Sequence, residues 1–488
     1  MEIRGVDLLL PAVDGYNPVA RRNLKILTCV ILIALTIPRM WQRGMFLDGM
    51  VYASVSRNLA IGDGTLWAPV HTATDGAPFY EHPPLGFALE AVGYRLAGDS
   101  FLVERVFPLL VYGLHALLIM AIWRLLLPAR YDWLPLVFWI LPEVVTWSAV
   151  NNMLDNTQAL FTSVAVYCLL RTIGETLWRP QIGWSILAGV SVVAATLTKG
   201  PVGLFPMAVP LLFPLLLRAR RPRRTHMVWL AMAAVVVGTA IALAAFDGPR
   251  HQVSEYLRRQ LVPSVRGERE VTRERLGIVY FLGIEIIGRM SVLAALLWWL
   301  RPRLGSAINR IDPAAWLFLT IGLMASLPIA MSPKMAGHYF VPSVPFLAMA
   351  AAAFCLPTMG RLDTLRPGGR GERMPLILAG VLLAAAILVP LLHGPVEPRD
   401  LEMVANLDAI ASVIPRGSIV GTCRASQYDW GTGTYLERFF RVALDARDSP
   451  VDGWFLTVNG ACPAPVECRP AAAGTTLALY QCGDASQR

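Results

Sequence analysis

Charged and polar residues stand close to the ends of several long apolar runs in this sequence. Asp48 follows the first run, Asp155 precedes a later one, and Lys199 ends another. Charge at the level of a membrane is costly, so such residues are typically kept for a function. A carboxylate there can take a proton from an attacking hydroxyl group, and a lysine can stabilise a departing phosphate. Further residues with this placement are Glu81, His82, Lys334, His338 and Tyr339.

The apolar runs themselves indicate a protein that crosses a membrane many times. Hydrophobic residues make up 55% of the chain and charged residues 16%, with a mean hydropathy of +0.51. A run of about 20 apolar residues matches the hydrocarbon thickness of a bilayer. We predict an all-α polytopic membrane fold with about eleven transmembrane helices. Their approximate limits are 24–40, 105–127, 133–150, 157–172, 183–198, 201–217, 227–246, 277–300, 314–331, 339–357 and 375–393.

The basic residues predict the orientation of these helices. The formal net charge is +9, and the arginine clusters fall in alternate loops, as they do where cytoplasmic loops are basic. We therefore predict a cytoplasmic N-terminus, an extracytoplasmic C-terminus and no nucleic-acid partner. The first apolar run, Leu24 to Ile37, lacks the small-residue pattern of a cleavage site, so we interpret it as a retained helix.

The composition changes after residue 393, which predicts two domains. Residues 1–393 would form the transmembrane domain, with a long first outer loop over 41–104. Residues 394–488 would form a small extracytoplasmic α/β domain, because a helical pattern at 399–413 precedes strand-like runs bounded by Gly and Pro. These runs are 418–423, 453–458 and 476–482.

Cysteines support an outward-facing tail. Four of the seven lie there, Cys423, Cys462, Cys468 and Cys482. An even number in an extracytoplasmic domain predicts two disulfides. Cys462 with Cys468 would close a local loop, but the sequence leaves the pairing open. A zinc site is the weaker interpretation, because the cysteines lack paired CxxC spacing.

A set of short motifs carries a family resemblance. The chain resembles the GT-C superfamily of membrane glycosyltransferases, and within it the bacterial branch related to protein O-mannosyltransferases and the lipid A aminoarabinose transferase. The resemblance covers about residues 45–350. The matching strings are FLDGMVY at 46–52, SRNL at 56–59, FYEHPPL at 79–85, GDS at 98–100, ER at 104–105, NMLD at 152–155, LTKGP at 197–201 and KMAGHYFVP at 334–342.

The resemblance implies transfer of a sugar from a polyprenyl-phosphate donor to a lipid, glycan or protein acceptor outside the membrane. It implies that Asp48 is the general base and that Asp155 is a second acid that orients the acceptor. A single base without a second nucleophile predicts inversion at the anomeric carbon. The residues expected to bind substrate are Arg57, His82, Lys199, Arg258, Arg259, Lys334, His338 and Tyr339, with Glu81 as a further catalytic acid.

One departure from the family concerns the first outer loop. The aminoarabinose transferases carry Lys after the loop glutamate, where this chain has His82. Some relatives bind a divalent metal through that glutamate and a later histidine. A metal held by Glu81 with His82 or His251 is therefore one hypothesis for a cofactor. The departure also leaves the donor sugar open.

Structural interpretations stand beside the catalytic ones. Asp48 and Asp155 could each cap a helix, and Glu81 could bind loop amides. Lys199 could extend to the interface only to anchor a helix end. Glu285 and Arg289, four residues apart on one predicted helix, are interpreted as an internal ion pair.

Two further classes of function compete with the enzyme. A transporter or flippase of polyprenyl-linked lipids would line a path across the bilayer with charge, whereas here the charges gather at one face. A scaffold protein acting through its tail would tolerate neutral substitutions at these positions. Neither class needs acids and bases from five segments at a single membrane face.

Overall fold

The computed structural model describes residues 18–74, 78–217, 224–268, 277–303, 311–364, 373–394, 399–424, 430–458, 460 and 462–483. The chain forms two compact units. The first unit consists of residues 1–38, 81–86 and 108–393, and the second of residues 39–80, 87–107 and 394–488. The second unit thus joins most of the first outer loop to the tail, a division that differs from the boundary expected at residue 393.

The fold is mostly helical, with a sheet in the second unit. The helices are α1 (Pro18–Ala34), α2 (Leu47–Ile61), α3 (Leu85–Ala97), α4 (Val103–Leu126), α5 (Leu134–Ile140), α6 (Glu143–Val150), α7 (Leu154–Arg171), α8 (Trp178–Lys199), α9 (Val209–Leu216), α10 (Thr225–Ala245), α11 (Asp247–Tyr256), α12 (Val262–Arg266), α13 (Arg289–Arg303), α14 (Pro313–Ala330), α15 (Val344–Thr364), α16 (Met374–His393), α17 (Leu401–Ala411) and α18 (Trp430–Phe440). The strands are β1 (Gly64–Thr65), β2 (Ala68–Pro69), β3 (Ile419–Thr422), β4 (Ala443–Asp445), β5 (Trp454–Val458), β6 (Cys468–Ala473) and β7 (Leu477–Cys482).

The number of helices that could span a membrane is smaller than expected. Within the described ranges, six are long and apolar enough, or seven if α5 and α6, bent by 80°, count as one span. The prediction of eleven is not confirmed. Proline explains two of the differences. Pro142 stands at the break between α5 and α6, and Pro201 opens a 3-10 helix (Pro201–Ala208) ahead of the short α9.

Close helix packing forms the apolar core of the first unit. Buried aliphatic and aromatic side chains from α4, α5, α7, α8 and α15 belong to one cluster. Gly189 lets α10 approach α8, because a Cβ atom there would lie 2.9 Å from the carbonyl oxygen of Met232. The predicted ion pair is present, with Arg289 Nη2 2.5 Å from Glu285 Oε2, and Glu143 lies 3.4 Å from the same guanidinium.

The tail forms a five-stranded sheet in the order β4-β3-β5-β7-β6. Strand β3 is parallel to β4 and β5, whereas β7 is antiparallel to β5 and β6. The helix and three strands expected in the tail correspond to α17, β3, β5 and β7. Strand β6 was missed because its central Pro470 is unusual in a strand; it lies at the edge of the sheet, where proline is tolerated.

Both expected disulfides form in this domain. They join Cys423 to Cys462 and Cys468 to Cys482. The prediction of a local disulfide between Cys462 and Cys468 is therefore wrong. Cys468 and Cys482 are opposed across the β6–β7 register, so strand pairing brings them together. That pairing depends on a strand that the sequence pattern did not reveal.

Candidate functional site

Several of the predicted site residues line one cavity in the first unit, which is partly open to solvent. The cavity collects side chains from loops and helix ends that are far apart in sequence. Its polar and aromatic lining includes Glu81, His82, Asp155, Gln158, Lys199, Tyr256, Gln260, Ser264, Ser332, Lys334 and Tyr339. Six of these residues were predicted from their types and spacing: Glu81, His82, Asp155, Lys199, Lys334 and Tyr339.

The centre of the cavity wall is a buried ion pair between Asp155 and Lys199. The Lys199 ammonium donates to Asp155 Oδ2, and the two side chains are only 9% and 2% exposed. Asp155 lies in the first turn of α7 and Lys199 ends α8, so each charge also interacts favourably with its helix dipole. Met153, not Asp155, occupies the N-cap position of α7. Asp155 therefore does not cap α7; it forms a buried ion pair with Lys199.

A glycine corner holds Lys199 in place. Gly200 has φ +97° and ψ −159°, a conformation essentially confined to glycine. Its carbonyl oxygen accepts a hydrogen bond from Gln158 Nε2 at 3.2 Å, which ties the corner to α7. A Cβ atom at Gly200 would lie 2.1 Å from the Tyr256 hydroxyl oxygen. The corner thus needs glycine for both its backbone and its contact with Tyr256.

Gly200→Ala is expected to abolish function even if the protein still folds. The left-handed backbone is strained by about 1–3 kcal/mol for a residue with a side chain, and Tyr256 must also move. Gly183→Ala, within the helix α8 that Gly200 follows, is the matched control, since open space surrounds Gly183 and alanine favours a helix. Thermal melting and envelope glycan profiles of both variants check this. Normal function in Gly200→Ala would contradict the need for this corner.

Lys334, His338 and Tyr339 lie on the segment between α14 and α15. The Tyr339 ring centroid is 5.1 Å from Lys199 Nζ, a cation–π contact. His338 stacks on Trp147 with ring centroids 5.6 Å apart. Burial, together with the positive charges of Lys199 and Lys334, lowers the pKa of His338 well below its ordinary value. Its imidazole is therefore neutral at pH 7 and adds no positive charge.

The segment after α10 contributes residues that sequence reasoning missed. A π-helix (Leu257–Leu261) joins α11 to α12. Tyr256, Gln260 and Ser264, each four residues apart, line the cavity, and this helical spacing was a signal that could have identified them. Burial raises the pKa of Tyr256 to about 12, so its hydroxyl remains a hydrogen-bond donor.

Arg258 and Arg259 of the same segment, predicted to bind substrate, pair with a glutamate of the same helical segment. Both guanidinium groups bind Glu255, with Nη2 of Arg258 2.7 Å and Nε of Arg259 2.5 Å from Oε2. Hydrogen bonds from Arg258 first, and from Arg259, lower the pKa of Glu255 to about 2. Both arginines are exposed and neither lines the cavity.

Asp48 and Arg57 belong to the second unit, on α2. Asp48 is the second residue of this helix, while Phe46 holds the N-cap position without a capping side chain. The capping interpretation of Asp48 therefore does not match its position, although its charge suits the helix N-terminus. Arg57 is 1% exposed and donates from Nη2 to Glu437 Oε1 at 2.7 Å. Arg57, predicted to bind substrate, is thus paired within the second unit and does not line the cavity.

The metal hypothesis lacks a complete ligand set. In the described part of the chain, no group of three His, Cys, Asp or Glu side chains is arranged to hold a metal ion. Glu81 and His82 line the cavity as neighbours in sequence, and the His82 carbonyl oxygen accepts a hydrogen bond from Gln252 at 3.0 Å. His251 is exposed on α11. We assign no step to a metal.

Comparisons with known proteins find similar sequences for part of the chain. Residues 81–244 match the family described as dolichyl-phosphate-mannose-protein mannosyltransferase. The undecaprenyl phosphate-alpha-4-amino-4-deoxy-L-arabinose arabinosyl transferase of Serratia proteamaculans is 27% identical over 199 residues. That match covers 39% of this chain but only a third, 33%, of the Serratia protein.

Solved structures show the same fold over nearly the whole chain. ArnT from Cupriavidus metallidurans bound to undecaprenyl phosphate has a TM-score of 0.61 and 16% identity, covering 93% of this chain and 97% of that one. AglB, an oligosaccharyltransferase from Archaeoglobus fulgidus in complex with an inhibitory peptide and a dolichol-phosphate, has a TM-score of 0.53 and 12% identity. The aligned region covers 87% of this chain and 64% of the AglB chain.

Proposed function

Because this chain is related to the GT-C membrane glycosyltransferases, we propose that it moves a sugar from a polyprenyl-phosphate donor to an acceptor at the outer face of a bacterial cytoplasmic membrane. The acceptor would be a lipid, a glycan or a protein. The observation that carries the proposal is the cavity with Lys334 and the buried Asp155–Lys199 pair in its wall.

The two lysines suit a phosphate that gains charge as the sugar leaves. Lys199 is held by Asp155 and Tyr339, so its position is set before the donor arrives. Preorganised positive charge stabilises a leaving group more than mobile charge does, because no reorganisation is needed during the reaction. Gln260 and the Tyr256 hydroxyl supply further hydrogen-bonding groups for the same phosphate.

We assign proton removal to Asp48. The acceptor hydroxyl would lose its proton to this carboxylate as its oxygen bonds to the anomeric carbon. The bond from that carbon to the phosphate oxygen would break, and the electron pair would leave with the polyprenyl monophosphate. A single displacement of this kind inverts the anomeric configuration, and a retained configuration in the product would contradict it.

The donor lipid and the orientation follow from the same proposal. ArnT from Cupriavidus metallidurans binds undecaprenyl phosphate, which makes this carrier the first to test. The two disulfides of the tail suit an oxidising compartment outside the cytoplasm. The tail would then be extracytoplasmic, and the N-terminus would be cytoplasmic with an odd number of spans, such as the seven counted when α5 and α6 form one span. Because His82 stands where the aminoarabinose transferases carry lysine, the proposal does not name the sugar of the donor.

Mass spectrometry of the cell envelope tests the proposal. A deletion strain would carry the wild-type gene or an empty vector, and both polyprenyl-phosphate sugars and envelope glycans would be compared. Loss of one sugar from an envelope product, with accumulation of its lipid carrier, is the expected result, and the mass difference identifies sugar and acceptor. Purified protein that transfers no sugar from the accumulated lipid would favour a flippase instead.

A further inference from the structure

The backbone that leads into α2 is held by an unusually complete set of hydrogen bonds within the second unit. The buried guanidinium of Arg105 donates from Nη2 to three successive carbonyl oxygens. These belong to Gln42 at 2.8 Å, Arg43 at 3.2 Å and Gly44 at 2.7 Å. The chain reaches Asp48 four residues later, so this arginine restrains the approach to α2.

A tyrosine of the tail holds the next residue. The Tyr435 hydroxyl, on α18, accepts a hydrogen bond from the Met45 N–H at 2.9 Å. Its own proton can be donated to the Met45 carbonyl at 3.1 Å or to Asp400 at 2.8 Å. Tyr435 is 1% exposed, and burial raises its pKa, so the hydroxyl is protonated and can donate throughout the physiological pH range.

The tail also packs tightly against this segment. A Cβ atom at Gly44 would lie 1.9 Å from the Arg399 carbonyl oxygen, so the two backbones approach as closely as glycine allows. Met45 and Met50 share an apolar cluster with Ile410 and Leu436 of the tail. The entry of α2 is therefore buried by residues that are distant in sequence.

The other end of α2 is fixed by the same tail helix. Glu437 of α18 binds Arg57 through both its carboxylate, at 2.7 Å, and its carbonyl oxygen, at 3.0 Å. The neighbouring Arg438 binds Glu104 at 2.8 Å and Asp99 at 2.7 Å. Breaking a buried ion pair of this kind is strongly destabilising, because it leaves an uncompensated charge. Helix α18 thus contacts α2 at its start and near its end.

We propose that Tyr435 and Glu437 are positioning residues, through which the tail sets the location of Asp48 for proton removal. This inference rests on the proposed function, since it assumes that Asp48 is the base. It gives the tail a part in the reaction without contact between the tail and substrate. Tyr435 acts on the entry of α2, close to Asp48, and Glu437 on its far end.

The expected effect is on turnover and not on donor affinity. Without the hydroxyl, the Met45 N–H loses its partner and the entry of α2 can shift. A displacement of about 1 Å at a reacting group can lower a rate about 100-fold. We expect Tyr435→Phe to lower the maximal rate by roughly 10–100-fold, with an unchanged half-saturating donor concentration.

The test uses purified full-length protein, a lipid extract from the deletion strain as donor and envelope membranes of that strain as acceptor. Tyr435→Phe is compared with Tyr480→Phe, the same change on strand β7 of the tail. Glu437→Gln is a second variant, which stays informative should Tyr435→Phe not fold. It keeps a hydrogen-bond acceptor for Arg57, and Asp99, 3.5 Å from the same guanidinium, still compensates the charge. Melting temperatures establish that each variant is folded.

Combination with Asp48→Asn separates positioning from general destabilisation. If Tyr435 acts through Asp48, Tyr435→Phe should cause no further loss in the Asp48→Asn background. A wild-type rate in both folded tail variants, or an equal loss in both backgrounds, would overturn the inference and leave the proposed function intact. A normal rate in Asp48→Asn alone would overturn the assignment of the base, and this inference with it.

Discussion

Asp48→Asn is expected to reduce sugar transfer by about 100- to 10,000-fold while the protein remains folded in the membrane. The magnitude is that of a lost general base. Asparagine keeps the size of the side chain but cannot take the acceptor's proton. Because asparagine also keeps one side-chain oxygen as a hydrogen-bond acceptor, we expect the variant to remain folded, which its melting temperature checks.

Asp63→Asn provides the matched control for this variant. Asp63 lies just beyond the end of α2 and makes an exposed ion pair with Arg441 at 3.4 Å. Surface pairs of this kind contribute little to stability, so Asp63→Asn should transfer sugar normally. The assay is the envelope mass spectrometry described above, at equal membrane levels of each protein. Equal activity of Asp48→Asn and wild type would refute the assignment of the base.

Lys199→Gln should have the second large effect, on both stability and donor binding. The variant leaves the buried carboxylate of Asp155 without its partner, which costs about 3–5 kcal/mol where a pair is fully buried. It also removes one of the two lysines that line the cavity. We expect a lower melting temperature and loss of most of the thermal stabilisation that added undecaprenyl phosphate produces in the wild type.

The double variant Asp155→Asn/Lys199→Gln separates these two effects. Replacing both charges removes the uncompensated carboxylate, so the melting temperature should recover toward the wild-type value. Donor binding should not recover, because the ammonium group is still absent. Melting curves with and without undecaprenyl phosphate measure both properties in one experiment.

Lys25→Gln is the control for loss of a lysine ion pair outside the cavity. Lys25 binds the buried Asp132 at 2.7 Å, and Arg124 binds the same carboxylate at 2.5 Å. This variant should keep the full stabilisation by undecaprenyl phosphate. If Lys199→Gln also kept it, the lysine would serve only to hold the helices together, and the phosphate site would have to lie elsewhere.

Local residue types were sufficient to predict much of the site. Long apolar runs predicted a polytopic helical protein, and the motifs around Asp155, Lys199 and Lys334 predicted that these residues act together. The structure places all three at one cavity. Site residues can be predicted in this way where a charge stands next to an apolar run, because that placement is unusual. Glycine followed by proline also marks a sharp turn of the backbone, as at Gly200.

The sequence by itself determined the class of protein, the strand-like runs of the tail and most of the cavity's polar residues, because hydropathy and periodicity are local properties. Partnerships between distant segments were decided only by the tertiary structure. Arg57 stands in a motif that suggested a phosphate ligand, yet it pairs with Glu437, 380 residues away. The pairing of Cys468 with Cys482 likewise followed from the register of β6 and β7. A charged side chain adopts the partner that burial brings to it, and burial depends on how the whole chain packs.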